Sequence, residues 1–160
     1  KKDYQILKET KLLHQKRKDL SRIQIIEFSI LFIILNYLDI ASKKLEDLSE
    51  INFLAENNEI LKKEITTYLI EGDDKKTIKE KINISFDKIT REINENSNIQ
   101  IIVKNKNDEE ILNLLDELIK DHKEQSNLKK IESLEQKLIN NLDENSYSEL
   151  IKLKSQLNRE

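Results

Sequence analysis

Residues 21–36, SRIQIIEFSILFIILN, decide the fold. Ser21 followed by Gln24 forms a capping box, in which the serine oxygen takes an orphan N–H and the glutamine reaches back. The helix that follows is apolar on nearly every side, through Ile23, Ile25, Ile26, Phe28, Ile30, Leu31, Phe32, Ile33, Ile34 and Leu35. A helix without a polar face must be surrounded by other helices. A membrane span is the rival reading, and it needs about twenty predominantly apolar residues. The apolar stretch from Ile23 to Leu38 has sixteen residues and carries Gln24, Glu27 and Asn36. It therefore reads as a buried core helix.

Composition points the same way. The chain has 160 residues, 37% of them hydrophobic and 37% charged, so it can fill a core beneath a heavily solvated surface. One glycine and no proline leave almost nothing for phosphate-cradling loops or tight hairpins. Helices joined by short polar turns remain, which makes the expected fold class all-α. The absence of cysteine removes disulfides, thiolate metal sites and cysteine nucleophiles. With no methionine either, the chain is expected to be a piece of a larger protein. The basic start has no small-residue cleavage site and does not read as a signal peptide. The expected location is cytoplasmic.

Outward from the core helix, the pattern predicts a second helix over Leu38–Leu48 with Ile40, Ala41, Leu45 and Leu48 inward. Ile51, Phe53 and Leu54 form an apolar connector. A third helix over Ala55–Glu71 is expected to bury Ile60, Leu61, Ile65, Tyr68 and Leu69. Gly72 falls where a helix ends in a left-handed residue, and Asp73 or Asp74 can cap the next one. Two short helices are predicted next, Lys75–Ile82 and Phe86–Ile93, the second capped by Ser85. Ile99, Ile101, Ile102 and Val103 have strand propensity but no partner strand, and read as an apolar turn or short helix.

The last third differs in kind. Asn107 with Glu110 caps a helix of about thirty-five residues, or two nearly collinear ones, since no breaker interrupts it. Its apolar stripe runs through Ile111, Leu115 and Leu118, then resumes at Leu128, Ile131, Leu134, Leu138 and Leu142. Ser146 with Glu149 reads as a third capping box, opening a final helix striped by Leu150, Leu153 and Leu157. The two stripes face each other across a short turn, which predicts an antiparallel helical hairpin projecting from the bundle. The expected organisation is a basic linker or leading helix over 1–20, a helical bundle over 21–106, and a long helix with a C-terminal hairpin over 107–160.

Enzyme chemistry finds little to work with. His14 and His122 are far apart, neither has a second ligand at i+3 or i+4, and both read as solvated surface positions. The carboxylates alternate with lysines on helix faces, as on any solvated helix. No catalytic residues, metal ligands or cofactor site are expected. Charge is uneven: residues 1–22 hold eight Lys/Arg against three Asp/Glu, and residues 107–160 hold eight against 13. Only the first segment, through Lys11, Lys16, Arg17, Lys18 and Arg22, is basic enough for nucleic acid. Its plainer reading is a soluble linker-helix, so nucleic-acid binding is expected to be weak or absent.

The layout resembles the C-terminal helicase-interaction domain of bacterial replicative DNA primases (the DnaG type). Ile30-Leu31-Phe32-Ile33-Ile34-Leu35-Asn36 is similar to that family's first hydrophobic helix, which ends near an asparagine. Ile51-Asn52-Phe53 with Ile60, Ile65 and Leu69 resembles its next block. Leu142-Asp143-Glu144-Asn145 followed by Glu149-Leu150-Ile151-Lys152-Leu153-Lys154-Ser155-Gln156-Leu157 is similar to its closing helix. The resemblance spans about Ser21 to Arg159, and departs from the family at Tyr37-Leu38-Asp39, where a proline is common.

The resemblance implies a non-catalytic domain that docks a primase on the N-terminal domains of the replicative helicase, the zinc-binding and catalytic domains lying elsewhere in the parent protein. Tethering would raise the effective concentration of that catalytic domain at unwound single strands. The alternatives are a self-associating helical adaptor and a nucleic-acid module using the basic segment. Leu150, Leu153 and Leu157 serve the hairpin seam, while Tyr147 and Ile151 form an i, i+4 pair turned away from it near the tip. The expected partner-binding residues are Leu142, Tyr147, Ile151 and Lys154.

Overall fold

The computed structural model describes residues 21–96, 98–140 and 144–158. The basic segment over 1–20, with His14, lies outside the described residues. Among those described there are eight α-helices and no strand. They are α1 (Arg22–Asn36), α2 (Leu38–Lys43), α3 (Leu45–Glu50), α4 (Glu56–Ile70), α5 (Lys75–Asn96), α6 (Ile99–Val103), α7 (Asp108–Asn140) and α8 (Glu144–Asn158). The protein is all-α.

At the centre lies α1. Its capping box forms as the sequence predicts: Gln24 N–H donates to Ser21 Oγ at 3.3 Å, and Ser21 N–H donates to Gln24 Oε1 at 3.1 Å. The helix is buried on almost every side, from Ile26 continuously through Ile34. Around it pack α2, α4, α5, α6 and α7. No described helix is long and apolar enough to cross a membrane.

The predicted helix over Leu38–Leu48 is two helices. Lys44 leaves helical geometry at φ −119° and ψ 23°, so Ile40 and Ala41 on α2 and Leu48 on α3 all reach the core. The break also carries the Lys44 ammonium to Asp116 of α7, at 2.8 Å.

Gly72 ends α4 as expected, at φ 80°. Asp73 N–H donates to Tyr68 C=O at 3.1 Å and Gly72 N–H to Leu69 C=O at 3.2 Å, the paired bonds of a Schellman motif. Asp74 then caps α5 by accepting Thr77 N–H at 2.7 Å. Within α4, however, Ile60 is 45% exposed rather than inward. The inward stripe is Asn58, Leu61, Lys62, Ile65 and Thr66, with polar side chains at three of five positions.

The two short helices predicted over 75–93 form one element with a kink at Phe86 (φ −130°, ψ 27°), and Ser85 lies inside it. The Thr90 hydroxyl, shared between Phe86 C=O at 3.1 Å and Asp87 C=O at 2.9 Å, competes with the backbone ladder there. Residues 99–103 are a short helix, as one of the two readings had it, with Ile99 and Val103 buried.

Asn107 caps α7 by accepting Glu110 N–H at 2.9 Å, and the helix runs unbroken for 33 residues. Its first half, through Ile111, Leu115 and Ile119, belongs to the main core. Its second half pairs with α8 around Ile131, Leu134 and Leu150, flanked by Leu138, Leu153 and Leu157. That is the predicted antiparallel seam. The start of α8 differs from expectation: the helix begins at Glu144, so Ser146 and Glu149 sit within it rather than forming its cap. Glu144 places a carboxylate in the first turn, at the positive end of the helix dipole.

Candidate partner-binding arm and the polar cluster at its base

The sequence places a partner site at the hairpin tip. Leu142 lies outside the described residues. Tyr147 is 57% exposed and Ile151 48% exposed, both turned away from the seam. Lys154 is engaged with its own chain: its Nζ lies 2.9 Å from Glu135 Oε1 on α7, with both side chains about half exposed. That ion pair shows which flank of the hairpin this face occupies. On α7, Ile139 is one turn beyond Glu135 and so shares the flank, and it is 83% exposed. Ile139, Tyr147 and Ile151 thus form an apolar strip near the tip, with the Glu135–Lys154 pair at its inner edge. Ile139 escaped the sequence reading because its neighbour Leu138 fitted the seam.

At the base of the arm the structure holds a cluster that the sequence reading missed. His122, expected on a solvated surface, is only 1% exposed. Its Nε2 lies 2.9 Å from Oε2 of Glu27, which is 0% exposed in the middle of α1. The same carboxylate accepts Leu54 N–H at 2.7 Å, Ala55 N–H at 3.3 Å and Asn58 Nδ2 at 3.1 Å. An ionised carboxylate only accepts, so His122 Nε2 carries the proton in this bond. Burial pushes the Glu27 carboxyl up, but the bonds from His122, Leu54, Asn58 and Ala55 outweigh it and hold the group below the ordinary glutamate value. Ala55, the residue ahead of α4, makes no side-chain cap. Glu27 takes the Ala55 N–H from α1, as the acid at the third position of a capping box would, and faces the positive end of the α4 dipole.

Beside it, Lys62 is buried, with its ammonium bonded to Ile51 C=O, 3.1 Å from Glu59 Oε2 and 5.1 Å from the centre of the Phe53 ring. Burial pushes the Lys62 pKa down, and Glu59 opposes the shift. Phe53 also packs on His122, with ring centres 5.1 Å apart. The cluster ties α1, α4, α7 and the connector over 51–55 together. Glu27 and His122 are both closed off from solvent. The signal for it was a lone carboxylate in a helix with no exposed face, which must find partners.

Among the described residues no group of three or more His, Asp or Glu side chains could hold a metal ion. A cleft of about 630 Å³ opens where α5 kinks, lined by Phe28, Asn58, Ile60, Phe86, Lys88 and Ile89 among others. The chain matches no protein-family model, no curated protein and no solved structure.

Proposed function

We propose that this chain is a non-catalytic interaction domain of a bacterial DNA primase, docking that enzyme on the N-terminal domain of the replicative helicase in the cytoplasm. What supports this reading is the order of parts, a helical bundle, one long helix and a C-terminal hairpin, together with the resemblance of Ser21–Arg159 to the primase domain. The observation that carries it is the strip of Ile139, Tyr147 and Ile151 left open near the hairpin tip. An aromatic beside aliphatic groups suits an anchor in a partner groove.

Binding of purified protein to an isolated helicase N-terminal domain tests the reading. Changing Tyr147 and Ile151 together to Ala should weaken binding by about 2 kcal/mol or more, with helix content retained. Unchanged binding by a folded double variant would place the contact elsewhere, and absence of any binding by the unaltered protein would reject the helicase as partner. The same strip could close on a second copy, and sedimentation of the protein alone separates that outcome. Template-dependent primer synthesis by this chain alone would contradict its non-catalytic role.

A further inference from the structure

The Glu27–His122 contact sits where α7 leaves the bundle. Upstream on α7, Ile111, Leu115 and Ile119 are buried in the main core. Downstream, Ile131 and Leu134 are buried in the separate hairpin cluster. None of the residues from 123 to 130 is buried. Residues 124–127 are partly covered, and His122 is thus the last fully buried side chain of α7 on the bundle side before the hairpin cluster begins.

The kind of contact matters. Apolar side chains such as Ile119 tolerate small rotations, because dispersion and burial have little directional preference. A hydrogen bond to an ionised carboxylate weakens steeply when its angle changes. Glu27 itself is fixed by three other donors, Leu54 N–H, Ala55 N–H and Asn58 Nδ2, so it is a rigid acceptor. Removing His122 would leave those three donors in place, and the carboxylate would not be orphaned.

We propose that the Glu27–His122 pair is a latch that holds the hairpin arm at one angle to the bundle, and that opening it frees the arm while both regions stay folded. The latch is a conformational device distinct from the partner strip at the tip, and it does not depend on what binds there.

The chain contains no cysteine, so two introduced ones can carry spin labels without background. Lys43→Cys on the bundle and Gln136→Cys on the arm are both at exposed positions. Pulsed-EPR distances between them should form one narrow distribution in the otherwise native protein. His122→Leu keeps an apolar body but loses the donor, and should roughly double the width of that distribution while helix content is retained. His122→Gln, whose amide can still donate, should restore most of the narrowness. Asn58→Ala, which removes one of the bonds fixing the acceptor, should widen the distribution less than His122→Leu does. An unchanged width in His122→Leu would overturn the proposal. So would loss of the bundle in His122→Leu, since the pair would then belong to the core itself.

Discussion

The bundle and the hairpin are built from the same aliphatic residues, yet they hold together differently. In the bundle, α1 is enclosed by five helices and its buried run from Ile26 to Ile34 has no free side. In the hairpin, the described residues meet along a single apolar seam around Ile131, Leu134 and Leu150, with the Lys154–Glu135 pair at its edge, and water reaches both flanks. A side chain lost from the bundle leaves a hole that its neighbours cannot fill, while the same loss in the seam can be relieved by local collapse or solvent. The bundle can also bury charge, because several elements converge on one point. The hairpin keeps its charges at the edge.

The largest effect should come from Glu27→Ala, which strands four donors in the interior. Unfolding by denaturant should show a loss of about 3–5 kcal/mol. A loss no greater than that of a surface substitution would remove the basis for treating the bundle as the region that can hold charge. Next, Ile34→Ala should cost about 2–5 kcal/mol in the fully enclosed helix, whereas Leu150→Ala should cost about 1–2 kcal/mol in the seam. Equal losses in thermal melts would erase the contrast between the regions.

Acid sharpens the comparison further. The Glu27 carboxyl is held below its ordinary value, so its contribution is fully present above about pH 4.3 and is lost as pH falls through the lower, folded value. Stability of the native protein should therefore decline below that point, and Glu27→Gln, starting from a lower plateau, should decline less steeply. An identical acid slope in the two proteins would mean that Glu27 is not held this way. Lys154→Ala should have the smallest effect, about 0.2–1 kcal/mol, because the pair with Glu135 is half exposed. A melt that shifts as much as that of Leu150→Ala would show that the hairpin depends on its edge rather than its seam.

What could be read from the chain was mostly local. The Ser21–Gln24 box, the Asn107 cap and the left-handed Gly72 each depend on residues within one turn, and all three form as read. The facing leucine stripes of the hairpin needed only the helical period. The misreadings arise where distant residues meet. His122 and Glu27 are 95 positions apart, and no local rule brings a charged helix face and an isoleucine-rich core together. Ile60 was placed inward because it is apolar, but Asn58 and Lys62 take the inward positions to serve Glu27 and the connector. Lys44 interrupts α2 and α3 without glycine or proline, through packing and its reach to Asp116. At the candidate site, the exposure of Tyr147 and Ile151 followed from the stripe, while the engagement of Lys154 by Glu135 required knowing the register between two helices.

The continuity of α7 has a mechanical consequence. Between His122 and the end of the helix at Asn140 no break absorbs motion, so that length of about 27 Å at 1.5 Å per residue behaves as a lever. A swing of about 10° at its fulcrum sweeps the far end through about 5 Å, close to one helical pitch. If the Glu27–His122 latch opens as proposed, small adjustments among side chains inside the core would carry Tyr147 and Ile151 through a comparable distance.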